Sequence, residues 1–172
     1  MKDFLEFAAE RYSVRKYQPT PVEDEKIAAI LQSAKLAPTA RNAQPQKIYV
    51  VKSEEKRKAL ATATPCTFNA PVIFVVCYEE ERNSRGKVCE GHSFGDTDCA
   101  IVCTHMMLEA HELGLGSCWV GYFAESDVKA ALGLPENMRV RDLLPVGYPA
   151  ADSVPSPMHT AFREDSELFA VL

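Results

Sequence analysis

Residues 72–78 read Val-Ile-Phe-Val-Val-Cys-Tyr, an unbroken apolar run. A helix with one buried face would interleave polar residues; a strand covered on both faces would not. The β-branched and aromatic content points the same way. Pro71 precedes the run and Glu79-Glu80-Glu81-Arg82 ends it. It is predicted as a central strand, and it is far too short to cross a bilayer as a helix.

Upstream, residues 47–52 (KIYVVK) are predicted as a second strand and residues 54–63 as a charged, exposed helix. Before them lies a polar loop bracketed by Pro38 and Pro45. Ile27, Ile30, Leu31 and Ala34 make the apolar face of a helix from about Glu23 to Ala37, with acidic residues at its start. Residues 12–17 read as extended. Phe4, Leu5, Ala8 and Ala9 recur at helical spacing.

Downstream, residues 79–93 are charged, contain Gly86 and Gly91, and read as a loop. A long helix follows from about Asp96 to Leu113, with Ala100, Cys103, Met107, Ala110 and His111 along one side, Ile101, Val102, Met106 and Leu113 broadening the apolar surface, and Asp96 and Asp98 favouring its start. Gly114 suits its C′ position. Residues 117–122 are predicted as a strand. Ser126 is the expected N-cap of a helix that Gly133 ends. Residues 140–148 form a last strand, expected to break at Pro145. The tail ends in DSELFAVL. Helices and strands mix without regular βαβ alternation, which favours α+β.

The chain has 172 residues, one domain's worth, and its 47% hydrophobic and 25% charged residues are globular proportions. Its net charge of −5 argues against nucleic-acid binding. Asp3, Glu6 and Glu10 interrupt any signal-peptide core, so the expected compartment is the cytoplasm and no membrane partner is expected. The six cysteines then read as reduced thiols. Cys99 and Cys103 share a helical face, but no second pair at ligand spacing accompanies them; they read as core, and no metal site is expected.

Three segments are candidates for chemistry. Arg11, Ser13 and Arg15 are two apart on an extended segment and would project to one side. Two guanidinium forks around a hydroxyl suit a phosphate; the bland alternative is two solvated surface arginines. The loop 38–45 carries Asn42 and Gln44, whose amides can match the mixed edge of a flavin or the hydroxyls of a polyol chain; alternatively it is an ordinary helix-ending turn. In residues 114–122 (GLGSCWVGY), Gly121 would let a flat ligand approach the backbone. Trp119 stands where a dinucleotide fingerprint needs glycine, so that motif is absent. This lone tryptophan reads as core or as a neighbour of the ligand. No phosphate-loop, zinc-protease or nucleophile-elbow motif occurs.

Taken in order, RYSVRKY (11–17), APTARNAQPQ (37–46), APVIFVVCY (70–78), LEAHELGLGSCWVGYF (108–123) and LLPVGYP (143–149) resemble the FMN-dependent nitroreductase family over nearly the whole chain. The resemblance implies one domain over residues 1–172. Its fold would be a three-layer α+β sandwich with a central, mostly antiparallel sheet, in an intertwined homodimer with two FMN molecules in the interface. The tail, about 155–172, would pack on the partner subunit. Arg11, Ser13 and Arg15 match the positions that hold the phosphate, ribityl chain and pyrimidine side of FMN, with Tyr12 contributing its backbone. Pro38, Thr39, Asn42 and Gln44 match the loop laid on the same FMN by the other subunit. Trp119, Val120 and Gly121 match the turn whose backbone donates toward the flavin N5. Arg163 is similar to the residue that completes the phosphate site. The activity implied is ping-pong reduction of nitroaromatics, quinones or similar small acceptors by NADH or NADPH, with the flavin rather than a side chain as catalyst. A flavin-binding electron carrier, a flavin-sequestering dimer, or a dimer that has lost its flavin stays open on the residues. Gln46 replaces an aromatic common after the QP pair, implying a more polar outer pocket, and residues 79–95 would supply at most a partial lid.

Overall fold

A computed structural model describes residues 3–86 and 91–172 of the chain; Cys89 and part of the expected lid segment lie outside them. In order come α1 (Phe4–Glu10), α2 (Asp24–Leu36), β1 (Gln46–Val51), α3 (Glu54–Ala63), β2 (Val72–Glu79), α4 (Gly95–Glu112), β3 (Gly116–Ser117), α5 (Glu125–Leu132), β4 (Met138–Gly147) and α6 (Asp165–Leu168). The four strands pair antiparallel in the order β1-β2-β4-β3.

Strand β2 is buried from Val72 to Tyr78 because both of its faces are covered. Val72, Phe74, Val76 and Tyr78 pack into a core under α2 and α4. Ile73, Val75 and Cys77 pack into a second core with Leu60 of α3 and Val128 of α5. The result is the expected helix–sheet–helix sandwich.

Several boundaries differ from expectation. Of the expected apolar surface of α4, Val102, Cys103, Met106 and Ala110 are buried, joined by Cys99, while Ala100, Met107 and His111 are only partly buried. The helix is apolar over so wide an arc that periodicity does not single out the face that the sheet covers. The strand expected over 117–122 is two residues long, continued only by a bridge from Val120 to Leu143. Ser126 lies inside α5, whose N-cap is Ala124; Gly133 ends it in the left-handed conformation. Strand β4 runs through Pro145. The Pro145 carbonyl accepts from Cys118 N–H at 3.2 Å, so its N–H-less nitrogen faces the side where β3 has ended, and the ladder to β2 is spared.

The segment ahead of α2 is laid along the free side of β3. Ser13 bridges Ser117 in parallel, and Val14 N–H donates to Ser117 O at 2.9 Å. A Cβ at Gly116 would stand 2.5 Å from Val14 Cγ2, so this approach requires glycine. Among the described residues, no helix is long and apolar enough to cross a membrane.

Candidate functional site

The Ser13 side chain hydrogen-bonds to the Cys118 thiol, and the charges of Arg15 and Arg11 act on the same thiol. Burial pushes that thiol up, while the charge of Arg15, a hydrogen bond from Ser13 and the charge of Arg11 oppose the shift. Arg15 Nη1 donates to Ser13 O at 3.3 Å. Among the described residues neither arginine forms an ion pair, so this corner of an acidic chain carries uncompensated positive charge. Tyr12 points the other way and donates from its hydroxyl to Ser153 O at 3.2 Å. The Tyr17 hydroxyl, between Val14 O at 2.8 Å and Pro145 O at 3.0 Å, fastens the segment to β4.

Alongside runs the turn 119–122. Trp119 is half-buried against the core under α4. Val120 exchanges both backbone hydrogen bonds with Leu143 at 2.9 Å. Its chain neighbours apart, no atom of the described residues lies within 4 Å of where a Cβ on Gly121 would sit. The N–H groups of Gly121 and Tyr122 find no acceptor among the described residues. Two free donors over open space fit a flat, hydrogen-bonding ligand, and the arginine corner beside them fits its phosphate.

The loop 38–45 is rigid for a different reason. Arg41, Asn42 and Gln44 all hold left-handed φ, near +50°, outside the comfort of L side chains. Gln44 N–H donates to Thr39 Oγ1 at 3.0 Å, and Gln44 Nε2 donates to Asn42 Oδ1 at 2.9 Å. Asp98, 1% exposed on α4, accepts from Ala40 N–H at 2.8 Å. Pro38, Asn42 and Gln44 are exposed.

The sequence-matched residues thus form two groups that one chain does not bring together. Loop 38–45 leads into β1 at the level of Tyr78; residues 11–15 lie beyond β3 at the level of Val72. Four strand spacings separate them across the sheet, roughly 19 Å, and six residues along it, roughly 20 Å. Arg163 joins neither group: it stands exposed on the tail, with no hydrogen bond or ion pair among the described residues. His159, four residues earlier, contacts Ala9 O at 2.9 Å and ties the start of the tail to the end of α1.

Sequence reasoning missed three supporting residues. The position of Asp98 in the sequence suits it to the start of its own helix, yet its carboxylate accepts from Ala40 N–H of the loop. Thr64, 2% exposed, donates from Oγ1 to Tyr122 O at 2.7 Å. Asp142, 9% exposed, accepts from Trp119 Nε1–H at 2.5 Å. Only Asp142 left a signal, as part of a charged pair inside an apolar strand.

In this sandwich residues 11–15 lie along one sheet edge, and loop 38–45 lies at the opposite corner. The nitroreductase family profile matches residues 8–66 and 63–148. A protein of Methanothermobacter thermautotrophicus, provisionally named NADH dehydrogenase/NAD(P)H nitroreductase, is 32% identical over 86% of this chain and 78% of its own. A nitroreductase family protein of Clostridium difficile superposes at a TM-score of 0.90, with 34% identity and 98% of each chain covered. A Desulfovibrio desulfuricans protein provisionally named a nitroreductase, solved with FMN, superposes at 0.84 with 25% identity over 100% of this chain and 98% of that one. The chain belongs to the nitroreductase family.

Proposed function

We propose that this chain is an NAD(P)H-dependent FMN oxidoreductase that reduces nitroaromatics, quinones and similar electron-poor acceptors in a ping-pong cycle, at sites shared between two copies. FMN, when bound, would supply the hydride acceptance and electron transfer that the protein's own side chains lack.

The observation that carries the reading is the diagonal placement of the two residue groups. Arg11 and Arg15 offer guanidinium forks to the phosphate and to the electron-rich pyrimidine side, and Ser13 a hydroxyl to the ribityl chain. The Gly121 N–H would be offered to the N5 edge, with Trp119 and Val120 holding the turn. Pro38, Thr39, Asn42 and Gln44 approach the same ligand from the second copy, because their own chain holds them a sheet's diagonal away. Exposed apolar side chains on the tail, among them Phe162, Phe169 and Val171, suit residues 155–172 to packing on that copy, which would carry Arg163 into the interface. No side chain is assigned a proton-transfer role.

Arg15→Ala removes charge-assisted hydrogen bonds and should weaken FMN retention by about 10–100-fold, with turnover falling in step. Flavin content and NAD(P)H-driven quinone reduction in the purified variant check this; wild-type values for both would contradict the anchor. Anaerobic addition of NADH or NADPH to wild type should bleach the bound flavin without any partner protein, and bleaching only by a protein donor would favour an electron carrier.

A further inference from the structure

The turn 119–122 lies beside the reacting edge of the proposed flavin, yet it is hardly part of the sheet. Its regular pairing ends at Ser117, and a Cβ on Gly121 would meet open space among the described residues. What fixes it is one backbone pair with β4 and two side chains outside the turn, Asp142 and Thr64. Trp119 donates its indole N–H to Asp142 Oδ1, and Val120 pairs with Leu143, the next residue along. At the far end the Thr64 hydroxyl donates to Tyr122 O.

Asp142 is aimed at Trp119 by a fault in the sheet. Val76 pairs with Asp142 and Cys77 with Val140, so Arg141 is the extra residue of a β-bulge. The bulge resets the alternation of β4. Val140 and Leu143, three apart, both face the core under α3 and α5, while Asp142 falls on the α4 side with Leu144 and Trp119. The displaced Arg141 swings out to Asp96, 2.8 Å away, and toward Glu125 at 3.8 Å. A carboxylate in a sheet interior is costly unless a hydrogen bond compensates it, and the indole is the donor this one has.

We propose that Asp142 is a positioning residue of the reaction: through Trp119 it sets where the Gly121 N–H stands relative to the flavin edge, and so governs the rate of hydride acceptance more than the affinity for FMN. This rests on the flavin reading above. Misplacing an aligned donor by about 1 Å can cost about 100-fold in rate, whereas the phosphate anchor that dominates FMN affinity lies on another segment.

The test compares wild type with Asp142→Asn, Asp142→Leu and Trp119→Phe, using FMN and NADH as probes. Asn keeps an acceptor oxygen for the indole; Leu removes it. Phe removes the donor without altering β4, which keeps the test decisive if the Leu variant fails to fold. The single-turnover rate of flavin reduction at saturating NADH should fall about tenfold in the Leu and Phe variants and stay within about twofold of wild type in Asn. FMN dissociation constants should change by less than about threefold throughout. Trp119 is the only tryptophan, so its emission in flavin-free protein reports the clamp independently of FMN: it should shift to the red in the Leu variant and not in Asn. Equal reduction rates in all four proteins, or an Asn variant as slow as Leu, would overturn the proposal. A wild-type protein that takes up no FMN would instead overturn the flavin reading, while the emission arm still decides whether the clamp exists.

Discussion

Gly116 lies between the arginine segment and β4, where one methyl group is felt. A Cβ there meets Val14 at 2.5 Å and Pro149 at 3.0 Å. Gly116→Ala must push Val14 outward or part the bridge between Ser13 and Ser117. It should cost about 1–3 kcal/mol in denaturant unfolding and lower flavin content, because the segment displaced is the one that carries Arg15. Asp142 gives a second test, with a definite sign. Burial raises its carboxyl above the ordinary value, against the opposing bond from Trp119. The folded chain keeps that proton at pH values where the unfolded chain has released it, so this group's contribution to stability falls as pH rises from the ordinary aspartate value through the raised one. Asp142→Asn should flatten unfolding free energy against pH in that window and match or exceed wild type at neutral pH; a steeper loss than wild type would contradict the assignment. The candidate site residues stand in the sequence as short spaced patterns, Arg11, Ser13 and Arg15 among them. Thr64 and Asp98 do not, because nothing local marks a hydroxyl or carboxylate whose partner lies 58 residues away.

Loop 38–45 owes its shape to an element distant in sequence. With Arg41, Asn42 and Gln44 all in left-handed conformation, it is strained, and the Asp98 carboxylate on Ala40 N–H is a bond that holds it. Asp98→Ala should leave the helix intact but release the loop. Faster exchange of the Ala40 amide and weaker FMN retention are expected; an unchanged exchange rate would show that the loop holds itself. The strands and helices were mostly legible, since both faces of β2 are covered and α2 has one clear stripe. The misreadings have physical sources. Pro145 was expected to break a strand, but its missing donor faces an edge that needs none. The bulge at Arg141 follows from the tertiary fit of β4 against β2, which periodicity cannot report. The α4 stripe was ambiguous because cysteine, methionine and alanine cover most of the helix.

At the scale of the molecule, one chain presents two groups of candidate site residues at opposite corners, an exposed apolar tail and a largely exposed α1 whose Phe4 and Leu5 face outward. A second copy would account for all of these together. Deleting residues 155–172 should convert a dimer to a monomer on dilution and release FMN, which light scattering during size exclusion would detect. The sequence carried this level of organisation only through its resemblance to a family, since no residue spacing encodes a partner. Subunit complementation tests it most directly. Arg15→Ala damages one half-site and Asn42→Ala the other. In a heterodimer of the two variants, isolated with two different tags, a site shared between chains collects both lesions in one groove and leaves the other intact. That heterodimer should retain one FMN per dimer and about half of wild-type turnover, while each homodimer is impaired at both sites. If each chain bound FMN with its own residues alone, the heterodimer would be no better than the mean of the two homodimers.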